Sequence, residues 1–152
     1  MATTPSPDLV LTTVAGDSQT LNEWLTTFHM ATVVIDPYTN ESSWILDTAA
    51  RVLRSFMGAA VSVNFIVTAN AEEAKQFLGP LATEFLTFAD PTREAVRQLG
   101  LAQLPAFVFI QSDLSIGASA EGWRPVQWRE VATKIATTTS WSQPTIPGPK
   151  DP

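Results

Sequence analysis

A chain of 152 residues with 45% hydrophobic and 16% charged side chains has the composition of one globular domain, not of a disordered segment. At this length roughly 70% of the unfolded surface can be buried, so neither a metal nor a disulfide is needed to hold the fold. The net charge of −6, with its nine basic side chains scattered along the chain, argues against nucleic acid as a partner.

The absence of cysteine excludes thiol-disulfide oxidoreductase and thiol peroxidase activity, because both reactions need a thiolate. One histidine and singly placed acidic residues argue against a metal site, and we predict no cofactor. The opening residues MATTPSPDLVL lack the basic and apolar regions of a signal peptide, and no apolar run approaches ~20 residues. We therefore expect no membrane insertion and a cytoplasmic location.

Prolines concentrate at both ends of the chain, which predicts mobile ends. We expect a flexible N-terminal arm over 1–8, a folded domain over 9–141 and a Pro-rich disordered tail over 142–152.

The first half of the domain shows alternating strand and helix signals. A turn at 16–18 between two β-prone runs predicts a hairpin, and a short helix over 21–28 should follow. A β-branched run predicts a strand over 32–36, before a polar loop. Apolar spacing predicts one helix over 43–57, with Asn40 or Ser42 as its cap and Gly58 at its end.

The second half continues this alternation. We predict strands over 61–68, 85–88 and 107–111, and a second hairpin with its turn at 112–113 and its return strand over 115–120. Helices are predicted over 71–78, from Pro91 in a first turn to Leu99, and over 125–138. In the last helix, Val126, Trp128, Val131 and Ile135 should face inward. The pattern favours a mixed sheet with a parallel core, antiparallel edges and helices on both faces.

Three segments carry a resemblance: Val33-Val34-Ile35 running into a loop and helix, Ala89-Asp90-Pro91, and the run LPAFVF at 104–109. Together with the element order, they make the chain similar to the thioredoxin-like superfamily, in particular its peroxiredoxin and thiol-disulfide oxidoreductase branch. The resemblance implies an α/β fold of three α/β/α layers, with a mixed central sheet and an N-terminal β-hairpin. It also implies a cis bond at Leu104–Pro105, beside the former active-site loop.

The resemblance places the family's Cys-x-x-Cys pair at Asn40 and Ser43; an alternative register follows the peroxiredoxin Thr-x-x-Cys and uses Thr39 and Ser42. No sulfur is present in either register, and the first register also puts Val34 where thioredoxins carry a buried acid. The resemblance therefore implies a redox-inactive member of the fold.

In this family the backbone before the cis-proline pairs with an extended substrate peptide, which needs no cysteine. We therefore expect an unknown protein or peptide partner on a face formed by Thr39, Asn40, Ser42, Ser43, Leu104 and Pro105. One alternative is a non-thiol enzyme or a small-anion binder at the helix N-terminus. The other is a structural subunit, including a homo-oligomer in contact through Trp123, Trp128 or the tail.

Other chemically suggestive residues have plainer explanations. Ser43 as a hydrolytic nucleophile would need a base, and His29 belongs to the far end of the first buried strand. Asp90 before Pro91 is explained by helix capping. One or both of Trp123 and Trp128 are expected to anchor the last helix on the sheet, although tryptophan is also favoured at interfaces.

Overall fold

A seven-stranded sheet organises the protein in the computed structural model, which describes residues 2–152. Its strands are β1 (Val10–Thr13), β2 (Ser18–Thr20), β3 (His29–Ile35), β4 (Val61–Val67), β5 (Leu86–Ala89), β6 (Ala106–Ile110) and β7 (Ile116–Glu121). Their order across the sheet is β2-β1-β5-β4-β3-β6-β7.

The helices of the described residues connect these strands. They are α1 (Leu21–Trp24), α2 (Asn40–Trp44), α3 (Leu46–Ser55), α4 (Ala71–Leu78), α5 (Leu81–Glu84), α6 (Glu94–Gln98) and α7 (Pro125–Thr139). Of these, α5 was not predicted, and α1 ends at Trp24, four residues before the predicted end.

The predicted mixed sheet is confirmed. Strands β3, β4 and β5 run parallel, whereas both hairpins and the β1·β5 and β3·β6 pairs are antiparallel. One face of the sheet packs on apolar residues of α3, α4 and α7, and the other face packs on those of α1 and α6. Because helices cover both faces, β6 is buried along its whole length and β3 at every residue except His29, so both strands are largely apolar in sequence.

The helix predicted over 43–57 is two helices in the structure. The first, α2, begins at Asn40 with Thr39 as its cap, so neither Asn40 nor Ser42 fills the predicted capping role. Ile45 ends α2 and also precedes α3, with φ −95° and ψ 2°. Its side chain is buried in the core, so the apolar spacing that predicted one helix continues across the break.

Two further helix predictions differ from the structure. The helix after Asp90 begins only at Glu94, because residues 91–93 form a turn that ends at Arg93 in the left-handed conformation, with φ 61°. The Asp90 carboxylate accepts hydrogen bonds from the amides of Ala95 and Val96, which confirms its capping role. In α7, Val126 is 57% exposed and not inward facing, since it lies in the first turn, before the buried stripe begins.

Residues near both chain ends contact the folded domain. The Thr3 amide donates to the Leu99 carbonyl oxygen, which ties the N-terminal arm to the end of α6. At the other end Ile146 is buried in the core, and the Asp151 carboxylate pairs with Arg51 of α3 at 2.7 Å. Proline content does not report such contacts, because they are made by the residues between the prolines.

Candidate functional site

The loop after β3 is held in place by ion pairing and hydrogen bonding on two sides. The Asp36 carboxylate lies 3.2 Å from the Arg93 guanidinium, before α6. The Tyr38 hydroxyl donates to the Glu73 carboxylate in the first turn of α4. The loop that leads into α2 is therefore fixed by both neighbouring βα segments, although the Tyr38 side chain is 71% exposed.

The four polar residues predicted for the α2 end of the site divide into two pairs. Thr39 Oγ1 accepts from the Ser42 amide, and Ser42 Oγ accepts from the Asp36 amide at 3.1 Å. Ser42 is fully buried and Thr39 is half-buried, and both side chains stabilise the turn through these hydrogen bonds. Asn40 and Ser43 are exposed, so these two residues form the accessible pair.

The Leu104–Pro105 segment lies beside this loop because of the strand register. Val34 of β3 pairs with Ala106 of β6 in an antiparallel ladder, which places Pro105 opposite Ile35, the last residue before the loop. The Leu104–Pro105 peptide bond is cis. Pro105 is buried and Leu104 is half-buried, so Leu104 is the more accessible residue of the pair.

The segment just before Pro105 is anchored by Glu121 at the end of β7. One carboxylate oxygen of Glu121 accepts from the amides of Ala102 and Gln103, at 2.6 and 3.1 Å. Burial acts to raise the pKa of this carboxyl, but hydrogen bonds that include these two outweigh it and hold the pKa below the usual value. The carboxylate is therefore ionised at neutral pH and orders the approach to Pro105.

A third segment, residues 122–124 between β7 and α7, joins the two halves of the site. The Gly122 amide donates to the Pro105 carbonyl oxygen at 2.7 Å. The Trp123 amide donates to a carboxylate oxygen of Glu41 in α2, also at 2.7 Å. The structure thus brings three segments into one connected surface, namely α2 (Asn40–Trp44), Leu104–Pro105 and residues 122–124. We call this surface the α2–Pro105 face.

Two members of this face were not predicted as site residues, namely Glu41 and Gly122. Their contacts join residues 82 and 17 positions apart, which no local spacing reveals. The aromatic-rich run at 121–128 did indicate this segment in the sequence, but it was interpreted mainly as packing of the last helix on the sheet.

The tryptophans around the face have different roles. Trp128 is fully buried, packs against Phe107 with ring centroids 5.0 Å apart, and donates its indole N–H to the Gly122 carbonyl oxygen at 2.8 Å. The predicted anchoring role of Trp128 is therefore confirmed. Trp123 packs edge-on against Trp128, and Trp44 at the end of α2 is 69% exposed.

The remaining chemical candidates lie away from the α2–Pro105 face. His29 begins β3 while α2 follows its other end, and seven strand residues span about 20 Å, so His29 cannot serve Ser43 as a base. The imidazole Nδ1 accepts instead from the Ser112 amide at 2.9 Å. Within residues 2–152, no cluster of three or more His, Asp or Glu side chains could hold a metal ion. None of the helices there combines the length and apolar character needed to cross a bilayer.

The sequence matches no known protein family, and no curated protein is significantly similar to it. Solved structures are similar in fold. DsbF of Mycobacterium tuberculosis matches with a TM-score of 0.70 and 15% identity, over 88% of this chain and 96% of its own. A Chlorobium tepidum protein designated as the thiol:disulfide interchange protein DsbE matches with a TM-score of 0.74 and 16% identity. The match covers 91% of this chain and 98% of that protein.

Peroxiredoxin 6 of Arenicola marina also matches, with a TM-score of 0.69 and 15% identity over 88% of this chain and 71% of its own. These neighbours are thioredoxin-like oxidoreductases and peroxiredoxins, and the predicted thioredoxin-like α/β fold is confirmed. The protein thus has a thioredoxin-like α/β fold and no cysteine, so it cannot carry out thiol chemistry.

Proposed function

We propose that this protein is a redox-inactive thioredoxin-like module that binds an extended segment of another protein at the α2–Pro105 face. The main observation behind the proposal is the lack of hydrogen bonds at the Leu104 main chain. It makes no hydrogen bond to another residue within 2–152, although the segments on either side of it are anchored. A free main-chain donor and acceptor at the margin of a sheet suit the addition of an extended peptide.

The surroundings of Leu104 support the same proposal. Asn40 and Ser43 are exposed on α2, and Glu41 of the same helix accepts from Trp123, next to the Gly122 that donates to Pro105. Trp44, at the end of α2, is 69% exposed, and exposed aromatic side chains are typical of protein contact sites.

The anion-binding alternative has less support at this helix. Thr39 already accepts the Ser42 amide, and Glu41 adds a negative charge in the first turn of α2. A helix N-terminus attracts anions through free amides and positive potential, and both are reduced here. No contact within residues 2–152 favours a catalytic role for this end of α2 over peptide binding.

A photo-crosslinking amino acid in place of Asn40 tests the proposal. We expect it to capture a defined set of protein partners from native lysate, because the side chain at this position is exposed on α2 of the proposed binding face. The same group in place of Lys134, exposed on α7, is the control for non-specific capture. The products are measured by mass spectrometry.

A blocking substitution separates specific capture from chance. Ser43→Tyr adds bulk on the exposed side of α2 without disturbing a buried group, so it should lower capture at position 40 about tenfold, which corresponds to ~1.4 kcal/mol of binding free energy. Capture at position 40 that equals the control, or that is unchanged by Ser43→Tyr, would mean that the α2–Pro105 face is not a binding face.

The redox-inactive assignment has its own test. We expect insulin reduction and peroxide consumption by the purified chain to equal the buffer blank, because both reactions need a thiolate and the chain has none. A rate that rises in proportion to the concentration of this protein, in a preparation free of other thiol proteins by mass spectrometry, would contradict the assignment.

A further inference from the structure

Glu41 and Trp44 form an acidic and aromatic pair on the α2–Pro105 face. They are three residues apart in α2, so their side chains project from the same side of the helix. One oxygen of the Glu41 carboxylate accepts from the Trp123 amide, and Glu41 has no ion-pair partner within residues 2–152. The Trp44 ring is 69% exposed and has no aromatic or cationic partner in the same part of the chain.

No basic side chain among residues 2–152 forms an ion pair with Glu41. Arg93 is paired with Asp36 on the other side of the loop. Arg124 follows Trp123, but it lines a groove of about 470 Å³ between the segment before Pro105 and α7, together with Glu121 and Glu130. The net charge of the whole chain is −6, so long-range attraction also favours a cation.

We propose that the segment bound at the α2–Pro105 face is basic, and that it places a lysine or arginine between the Glu41 carboxylate and the Trp44 ring. A carboxylate attracts the cation by charge, and an indole face attracts it through the ring quadrupole. The two attractions act together because the side chains share one side of α2. This proposal rests on the proposed function, since it specifies the partner of the same face.

The probe is a set of immobilised 12-residue peptides of β-prone sequence, each made in a lysine form and in a matched glutamine form. Binding of the full chain to each form is measured at low and high salt. We expect the lysine forms to bind about fivefold more tightly, with a preference that shrinks at high salt because the charges are exposed.

Two variants and one control assign the preference to the pair. Glu41→Gln keeps an oxygen to accept the Trp123 amide but removes the charge, and Trp44→Leu removes the ring from an exposed position. Each should reduce the lysine preference about two- to fivefold. Asp17→Asn removes an exposed acid in the β1–β2 turn, at the opposite edge of the sheet, and should leave the preference unchanged. Urea midpoints equal to that of the wild type establish that the variants are folded.

The possible outcomes separate this inference from the proposed function. If peptides bind and Ser43→Tyr abolishes the binding, but the lysine and glutamine forms bind equally, the inference is wrong and the proposed function stands. A lysine preference that survives both Glu41→Gln and Trp44→Leu also overturns the inference. If Ser43→Tyr weakens the binding of none of the peptides, the proposed function fails, and the inference fails with it.

Discussion

Trp128→Ala is expected to lower the free energy of unfolding by about 3–5 kcal/mol, the usual cost of deleting a fully buried aromatic side chain. Trp128 is 0% exposed and lies between Phe107 of the sheet and Trp123. Its removal leaves a cavity between α7 and the sheet that those rings cannot fill without moving. The change is measured as the shift of the urea unfolding midpoint.

The same variant should also loosen the α2–Pro105 face. Trp128 donates to the Gly122 carbonyl oxygen, and Gly122 in turn donates to Pro105. We therefore expect the amides of Gly122 and Trp123 to exchange with deuterium faster in Trp128→Ala, under conditions where the protein remains folded. Unchanged exchange at both amides would mean that the loop is held without the indole.

Trp44→Ala is the matched control, because it removes the same side chain from an exposed position. Its effect on the free energy of unfolding should stay within ~0.5 kcal/mol, as for most surface substitutions. A loss of stability in Trp44→Ala equal to that in Trp128→Ala would contradict the assignment of Trp44 to the surface.

The second large effect is a gain in stability. Asn64→Leu is expected to raise the free energy of unfolding by about 1–3 kcal/mol, because both polar atoms of the Asn64 amide are buried without a hydrogen-bond partner among residues 2–152. Asn64 is fully buried, opposite Thr32 of β3, whose hydroxyl also lacks a partner among these residues. Leucine has nearly the same shape and suits the apolar face that Ile66 shares with this position.

Asn70→Leu tests whether a gain in the free energy of unfolding is specific to the buried position of Asn64. Asn70 caps α4, and its side chain accepts from the Glu73 amide at 2.9 Å, so its loss should cost about 1 kcal/mol. Thermal or urea unfolding of the two variants should therefore shift in opposite directions. A loss of stability in Asn64→Leu would contradict the assignment of Asn64 as an unpartnered polar group.

The parts of the fold that were predictable are those where the local sequence pattern and the tertiary environment favour the same structure. Helix α4 begins and ends where its sequence indicates, because Asn70 caps it and Gly79-Pro80 stops it. The hairpins at both sheet edges follow from turn residues between β-prone runs. The break at Ile45 was not predictable, since the residues on either side keep the spacing of one continuous helix.

The candidate site was predictable only in part. The resemblance indicated the loop after β3 and the cis-proline, but it left two registers open for the residues of α2. In the structure Ser42 is enclosed by the turn that it stabilises, while Asn40 and Ser43 are exposed. Which of these side chains are accessible depends on how the helix packs, and residue type alone does not specify that packing.

By itself, the sequence determined that this protein has no thiol chemistry and that strands alternate with helices in one domain. Composition and short-range spacing are enough for those two statements. Only the tertiary structure decided that Glu41 meets Trp123, that Trp44 is exposed while Trp128 is buried, and that the tail packs on α3. Such contacts join segments far apart in the chain, and whether they form depends on the shape of the whole core.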